Sequence, residues 1–239
     1  MISKSQIKLI TSLQQKKYRS KTGLFVAEGA KIVGDLLDSG VKLHSLYATD
    51  EGRVSGQECI QVSTADMQRM SGLKSASSTL AVFHMPEPKP NPKEGLILAL
   101  DAVRDPGNLG TIIRLCDWFG VSHLICGTQT VDCYNPKVVQ ATMGSIARVS
   151  LSYTDLGEYL EATDLPVFAA VMDGENVYQS DLPEDAILVM GNEANGISAE
   201  LISAIKNKIT IPNFGQAVTA ESLNVATATA ILLSEFRRK

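Results

Sequence analysis

The sequence predicts an α/β protein built on a parallel sheet, and three observations carry that expectation. Leu96 to Leu100 and Ala186 to Met190 are continuous apolar runs bounded by polar turns, the pattern of strands buried on both faces. Strand-like and helix-like segments alternate along most of the chain, which implies a sheet covered by helices. The stretch Ile209 to Phe236, ITIPNFGQAVTAESLNVATATAILLSEF, then joins a short strand, a polar loop and a helix that is apolar on nearly every side.

Composition narrows the class. The 239 residues suit one large or two small domains, with enough material for a real core. The N-terminus MISKSQIKLI lacks the apolar centre of a signal peptide, and no run of about 18 apolar residues exists to span a membrane. Cys59, Cys116, Cys126 and Cys133 form no CxxC pair, and His44, His84 and His123 match no metal-ligand spacing. A cytosolic, metal-free protein without a membrane segment is expected. The net charge of −4 weighs weakly against nucleic acid, but its distribution points the other way. Lys4, Lys8, Lys16, Lys17, Arg19 and Lys21 precede Ala27 with no acidic residue among them. Such a block is the footprint that phosphate backbones select, the plainer alternative being the solvated face of a first helix.

In order, Ser3 is placed to cap a first helix running to about Leu13, with Ile7, Ile10 and Leu13 at helical spacing. Gly23 to Ala27 reads as a strand and Glu28 to Ser39 as a helix ended by Gly40. Leu43 to Ala48 and Cys59 to Val62 are further strands, Ala65 to Met70 a short helix, and Thr79 to His84 a fourth strand. Residues 1–84 thus form a small α/β domain. Residues 85–95 hold PEPKPNPKEG, whose alternating prolines favour polyproline II and a semi-rigid spacer of about 30 Å.

Residues 96–239 form a second domain, a parallel sheet of five or six strands. After the strand Leu96 to Leu100, Asn108 to Phe119 reads as a helix with Ile112, Leu115 and Phe119 on one face and Gly120 at its end. Ser122 to Cys126 is the next strand, and shorter helix and strand pieces follow as far as Ala170. Ala186 to Met190 runs into GNEANGIS, and Ser198 caps a helix before the strand Ile209 to Ile211. In the last segment, Leu223, Thr227 and Ile231 make one stripe and Val225, Leu232 or Leu233 and Phe236 another. Val225, Thr227 and Thr229 are β-branched, but the length favours a helix over a strand. Arg237, Arg238 and Lys239 stand where a helix C-terminus favours positive charge. Such a helix either closes the core or is covered on its second side by another subunit.

Three polar clusters fall at predicted strand ends, where α/β sheets collect their ligands: Asn108 with Arg114, Gly191 to Gly196, and Ser222 with Asn224. Each has a plainer reading. Arg114 by itself is most often a solvated or salt-bridged helix residue, and the glycine loop a tight turn. Glu193, however, is a carboxylate just beyond a buried strand, a costly place without a partner. The chain has no GxGxxG or GxxxxGK[ST] phosphate loop and no nucleophile elbow.

In this order, the clusters resemble the SpoU (TrmH) family of S-adenosylmethionine-dependent RNA 2′-O-ribose methyltransferases, within the SPOUT superfamily. DPGNLGTIIRLCDWFG, LVMGNEANGIS and IPNFGQAVTAESLNVATATAILLSE are similar to its three motifs, and KKYRSKTGLFVAEGAKIV to its L30e-like RNA-binding domain. The resemblance implies an α/β knot, in which the C-terminal end threads a loop as a deep trefoil, and a homodimer packed through the knot region and last helix. It implies S-adenosylmethionine held by Leu188, Met190, Gly191, Asn192, Gly196, Ile211, Leu223 and Asn224, largely through backbone groups. It assigns the polar site to Asn108, Arg114, Glu193, Ser222 and Asn224, and RNA contact to Lys16, Lys17, Arg19 and Lys21. Arg114 is expected to stabilise charge on the ribose oxygen, with Asn108 and Ser222 orienting it. Glu193 is expected to hold the loop or the arginine, and Asn224 to cap a helix beside the cofactor. Ribosomal RNA is favoured over transfer RNA as target. Two departures stand out, a longer QAVTAE insert after Gly215 and VATATAILL where relatives carry small residues and a glycine. The rival readings are a non-catalytic RNA-binding protein on the same fold and a Rossmann-like enzyme for another nucleotide.

Overall fold

The computed structural model describes residues 2–49, 54, 56–87, 89–215 and 222–238. The chain begins with α1 (Lys4–Ser12), α2 (Lys16–Thr22), β1 (Leu24–Glu28), α3 (Ala30–Asp38) and β2 (Leu43–Ala48). It continues through β3 (Ile60–Gln61), α4 (Thr64–Met70), β4 (Thr79–His84), β5 (Leu96–Leu100), α5 (Pro106–Phe119) and β6 (His123–Gly127). Next come α6 (Pro136–Ala141), β7 (Ser150–Thr154), α7 (Leu156–Glu161) and β8 (Val167–Asn176). The chain closes with β9 (Ala186–Met190), α8 (Ala199–Ala204), β10 (Asn207–Thr210) and α9 (Val225–Arg237). Two compact units result, residues 1–87 with 132–148, and residues 88–131 with 149–239.

The first unit holds a four-stranded sheet in the order β1-β4-β2-β3, with β4 antiparallel to both neighbours and β3 parallel to β2. Ser3 caps α1 as expected: its side chain accepts from Gln6 N while the Gln6 side chain accepts from Ser3 N. Ile10 and Leu13 are fully buried against Val26, Met67, Leu80 and Val82. The basic block was not expected to form α2, and the helix splits it. Lys16, Lys17 and Lys21 are exposed, whereas Arg19 is 2% exposed. Its Nη1 donates to Leu13 O at 2.8 Å, and its Nε and Nη2 donate to Asp132 Oδ2 at 3.1 and 2.5 Å.

Asp132 explains why the units depart from the expected boundary. Residues 132–148, expected within the second domain, fold with the first. Asp132 neutralises the buried Arg19, the Tyr134 ring packs on Phe25 at 4.7 Å, and α6 lies on β1. Gly144, at φ 95°, passes so close to Asp35 that a Cβ there would lie 2.0 Å from its Oδ2.

The second unit is a sheet of six parallel strands in the order β10-β8-β9-β5-β6-β7. Leu98 pairs with Leu188 on one side and Leu124 on the other, and all three are fully buried. Strands enclosed in this way need no polar face, hence their unbroken apolar runs. Asp105 caps α5 by accepting from Asn108 N at 2.8 Å, Pro106 opens the helix, and Gly120 ends it at φ 67°. Asn224 caps α9 by accepting from Ala226 N and Thr227 N. The two helices run parallel. Their N-terminal ends are joined by Asn224 and Asn108, and at the other end Arg237 donates to Phe119 O and Gly120 O. Of the expected stripes on α9, Val225, Leu232, Leu233 and Phe236 are buried. Leu223 and Thr227 are exposed and Ile231 is half-buried. The strand expected at Ile209 to Ile211 ends one residue earlier.

The register between β8 and β10 jumps: Lys208 pairs with Ala169, but Ile209 pairs with Glu175. Residues 170–174 therefore leave the ladder as a wide bulge. Gly174 permits it, because a Cβ there would lie 2.6 Å from Ile209 N, and Thr210 Oγ1 ties it down by donating to Met172 O at 3.1 Å. The QAVTAE segment and Lys239, singled out above, lie outside the described residues.

Candidate active site

β5, β9 and β10 end side by side or one strand apart, and the loops that leave their carboxyl ends build the site. Asp101 N donates to Met190 O at 2.8 Å, and Asp101 Oδ2 accepts from Ser198 N at 2.7 Å. Asn192 organises the glycine loop. Its Oδ1 accepts from Ala194 N and Asn195 N, and its Nδ2 donates to Ala102 O at 2.7 Å. Backbone bonds between Asn192 and Gly196 close the turn in both directions. Gly191 is obligatory here, since a Cβ would stand 2.2 Å from the Gly196 carbonyl carbon.

One chain of side-chain hydrogen bonds joins the three polar clusters. Asn224 Nδ2 donates to Asn108 Oδ1 at 2.9 Å, and Asn108 Nδ2 donates to Glu193 Oε1 at 2.9 Å. Asn192 Nδ2 adds a longer contact to Glu193 Oε2 at 3.3 Å. The Glu193 carboxylate thus receives the partners that its place beyond a buried strand calls for. Residues 85 and 116 positions apart in sequence meet at Asn108.

Beside this chain lies a cleft of about 650 Å³, within the range of small-molecule sites. Met190, Gly191, Asn192, Glu193 and Gly196 form one wall and Ile211, Pro212, Asn213, Phe214, Ser222 and Leu223 another. The β8 bulge supplies a third wall, Ala170 to Asp173, that sequence reasoning missed. A glycine in the middle of a strand pattern, Gly174 in VMDGEN, was the available signal.

Of the expected cofactor residues, Met190, Gly191, Asn192, Gly196, Ile211 and Leu223 line the cleft. Leu188 does not: it is fully buried between Leu98 and Phe168 in mid-sheet. Asn224 is engaged as the cap of α9 and in the bond to Asn108. Ser222 is exposed in the cleft wall and has no hydrogen-bond partner among the described residues. Arg114 is absent from the cleft lining. It is exposed on α5 and makes no hydrogen bond or ion pair with a described residue, so Glu193 holds Asn108 rather than the arginine.

A parallel sheet with a ligand-sized cleft and amide-rich loops at its strand ends defines an α/β enzyme that binds a nucleotide-like molecule. Residues 95–234 match the SpoU rRNA Methylase family, and residues 4–81 match the MRM3-like substrate binding domain. The chain belongs to the SpoU rRNA methylase family. It is 33% identical over 235 residues to the 23S rRNA (guanosine(2553)-2′-O)-methyltransferase RlmP of Bacillus subtilis (strain 168), covering 94% of this chain and 93% of that protein. A TrmH-family structure from Porphyromonas gingivalis aligns with a TM-score of 0.91 at 41% identity, covering 99% of this chain and 98% of the other. The AdoMet-bound rRNA methyltransferase of Sinorhizobium meliloti aligns with a TM-score of 0.87 at 32% identity, covering 99% and 96%.

The cofactor is S-adenosylmethionine, and the residues present fit it. The Gly191 backbone leaves no room for a side chain, and the cleft joins buried apolar floor residues (Met190, Ile197, Ile209) to open backbone loops. Among the described residues no group of three or more His, Cys, Asp or Glu could hold a metal, and no helix is long and apolar enough to cross a membrane.

Proposed function

We propose that this chain methylates a ribose 2′-hydroxyl of ribosomal RNA, working in the cytoplasm as a homodimer. The observation that carries the reading is the Glu193–Asn108–Asn224 hydrogen-bond chain, which ties the three motif segments into one site beside the cofactor cleft. Relatives whose names specify 23S rRNA guanosine support the substrate class. A ribosomal substrate accounts for the cytoplasmic assignment.

The 2′-hydroxyl is protonated at neutral pH and is a weak nucleophile. The protein must therefore hold it in line with the methyl group and stabilise the charge that develops on oxygen. S-adenosylmethionine, when bound, supplies an electrophilic methyl group. Asn108 is a positioning residue, because both ends of its amide are engaged. Ser222 offers a hydroxyl in the cleft wall, without a partner among the described residues, to orient the ribose. Arg114 supplies the positive charge. The planar guanidinium fork, with donors and no acceptor, suits charge stabilisation better than proton removal. Since it does not line the cleft of its own chain, we assign it to the cleft of a second copy. The exposed face of α5 that carries Arg114 also carries Trp118, 84% exposed, and an apolar anchor of this kind suits an interface.

Residues 1–84, with which residues 132–148 fold, serve as the RNA-binding domain and the rest of 96–239 as the catalytic domain, with 85–95 between them. Lys16, Lys17 and Lys21 reach for phosphates, and Arg19 leaves that set because it is buried on Asp132. We extend the proposal to a deep trefoil knot at the C-terminal end of the catalytic domain, which an experimental structure of the chain path tests. Mapping 2′-O-methyl sites in RNA from cells with and without the gene tests the function itself. The loss of one site in ribosomal RNA is expected, and an unchanged map together with no heat of binding to S-adenosylmethionine would favour a non-catalytic RNA binder. Mixing Arg114→Ala with a Gly191→Ala partner tests the shared site: restored turnover is expected, and none would return Arg114 to its own chain.

A further inference from the structure

Three of the large apolar side chains that stand exposed among the described residues line the same cleft: Met172 (65%), Phe214 (81%) and Leu223 (49%). Single exposed hydrophobics need no explanation, but several around one cleft mark a contact surface. Leu223 belongs to the cofactor residues already described. Met172 and Phe214 do not, and each is presented by a constrained backbone. Met172 stands on the β8 bulge, where Thr210 Oγ1 binds its carbonyl and Gly174 packs against the backbone of Ile209. Phe214 is at the tip of a turn in which Asn213 Oδ1 accepts from Gly215 N at 2.8 Å, directly after Pro212.

We infer that Met172 and Phe214 form a stacking subsite for the base of the nucleotide whose ribose is methylated, a deepening that rests on the RNA methyl-transfer reading above. The cleft floor is already apolar and closed: Ile209 is 1% exposed, Met190 3% and Ile197 4%. A ring held at the mouth, against side chains left largely in solvent, belongs to the molecule that arrives last and from outside. RNA bases splayed out of a structured region stack on aromatic side chains, and a thioether makes favourable contact with a ring edge. Such a subsite grips any base by its face. It sets the distance of the ribose from the polar chain without reading sequence, leaving the choice of site to the RNA-binding domain.

The adenine of the cofactor offers the same flat surface, so the experiment separates the two rings. The probe is a 23S rRNA fragment containing the nucleotide found by methylation mapping, made intact and with an abasic residue at that position. Phe214→Ala and Met172→Ala are compared with wild type and with the conservative Phe214→Tyr, with thermal unfolding as the control for folding. Phe214→Ala is expected to weaken binding of intact RNA roughly 5- to 100-fold, the range for losing one base–aromatic stack. Phe214→Tyr should restore it, and affinity for S-adenosylmethionine should be unmoved by calorimetry. Wild type should lose the same factor on abasic RNA, and Phe214→Ala should lose nothing more there. Equal losses on intact and abasic RNA overturn the proposal. So does weakened cofactor binding with unchanged RNA affinity, which would assign the ring to adenine. Absence of methylation on any fragment by wild type is a different outcome, since it removes the parent reading.

Discussion

Asn108 carries one amide and uses both ends of it, donating to Glu193 and accepting from Asn224. Each partner lies on a different motif segment, so the side chain sets the spacing of the site. Arg114, six residues on, has no hydrogen-bond or ion-pair partner among the described residues, and its task is better tested by geometry than by charge. Lysine keeps the charge but loses the planar fork. Arg114→Ala and Arg114→Lys are both expected to slow single-turnover methyl transfer on the order of 10²- to 10³-fold, as for loss of one oxyanion donor. Cofactor affinity should stay constant in parallel titrations, and a lysine variant near wild type would show that charge alone suffices. Gly191→Ala probes the opposite wall. Its Cβ would meet backbone at 2.2 Å, which no rotamer relieves. Denaturant unfolding should show a loss of about 1–3 kcal/mol from overpacking, with S-adenosylmethionine binding weakened at least as strongly.

At the scale of elements, α2 shows how one basic stretch divides into two roles. Lys16, Lys17 and Lys21 are on the solvent side, and Arg19 points inward to Asp132 and Leu13 O. Replacing the three lysines by alanine is expected to weaken RNA binding and to lower the log–log salt slope by roughly 2 to 3 units, at about 0.7 to 0.9 per phosphate contact. Stability should hardly change. Arg19→Ala should do the reverse. It leaves Asp132 uncompensated, so urea unfolding should show about 3–5 kcal/mol less stability, the usual cost of breaking a buried pair from one side. A salt slope lowered by Arg19→Ala in a well-folded protein would reinstate that residue as an RNA contact. β8 makes the same point for strands, since a one-residue glycine lets the bulge that lines the cleft pass beside β10.

At the scale of the molecule, α5 keeps one face exposed, with Thr111, Arg114 and Trp118 on it. α5 and α9 run parallel, tied at both ends, and α5 presents Trp118 at 84% exposure on the turn after Arg114. The proposed second copy, covering that face, would bury the tryptophan and bring Arg114 to a cleft whose described lining holds no arginine. Trp118→Glu is expected to give a monomer by light scattering, with methyl transfer largely lost. Cofactor affinity should be retained and stability little altered, because the residue packs on almost nothing within its own chain. A dimer that survives this change would move the interface elsewhere.

Much of the architecture is legible in the sequence alone. The apolar runs of β5 and β9, the Ser3 cap, Gly120 at the end of α5 and the three polar clusters all depend on nearest-neighbour chemistry, which local sequence records. The same holds for Asn224, whose capping role follows from its place one residue before an apolar helix. Other features were hidden because their causes lie far along the chain. Arg19 looks like any other member of a basic block until Asp132, 113 positions later, claims it. Leu188 looks like a cofactor residue until two flanking strands enclose it. The β8 bulge exists because β10 changes register beside it, and Arg114 stands apart from its own cleft because α5 turns it outward. Sequence by itself marked the polar clusters at the strand ends and most of the segments that are strand or helix. Tertiary structure decided which of them meet, because burial and charge pairing are settled by partners that local pattern does not contain.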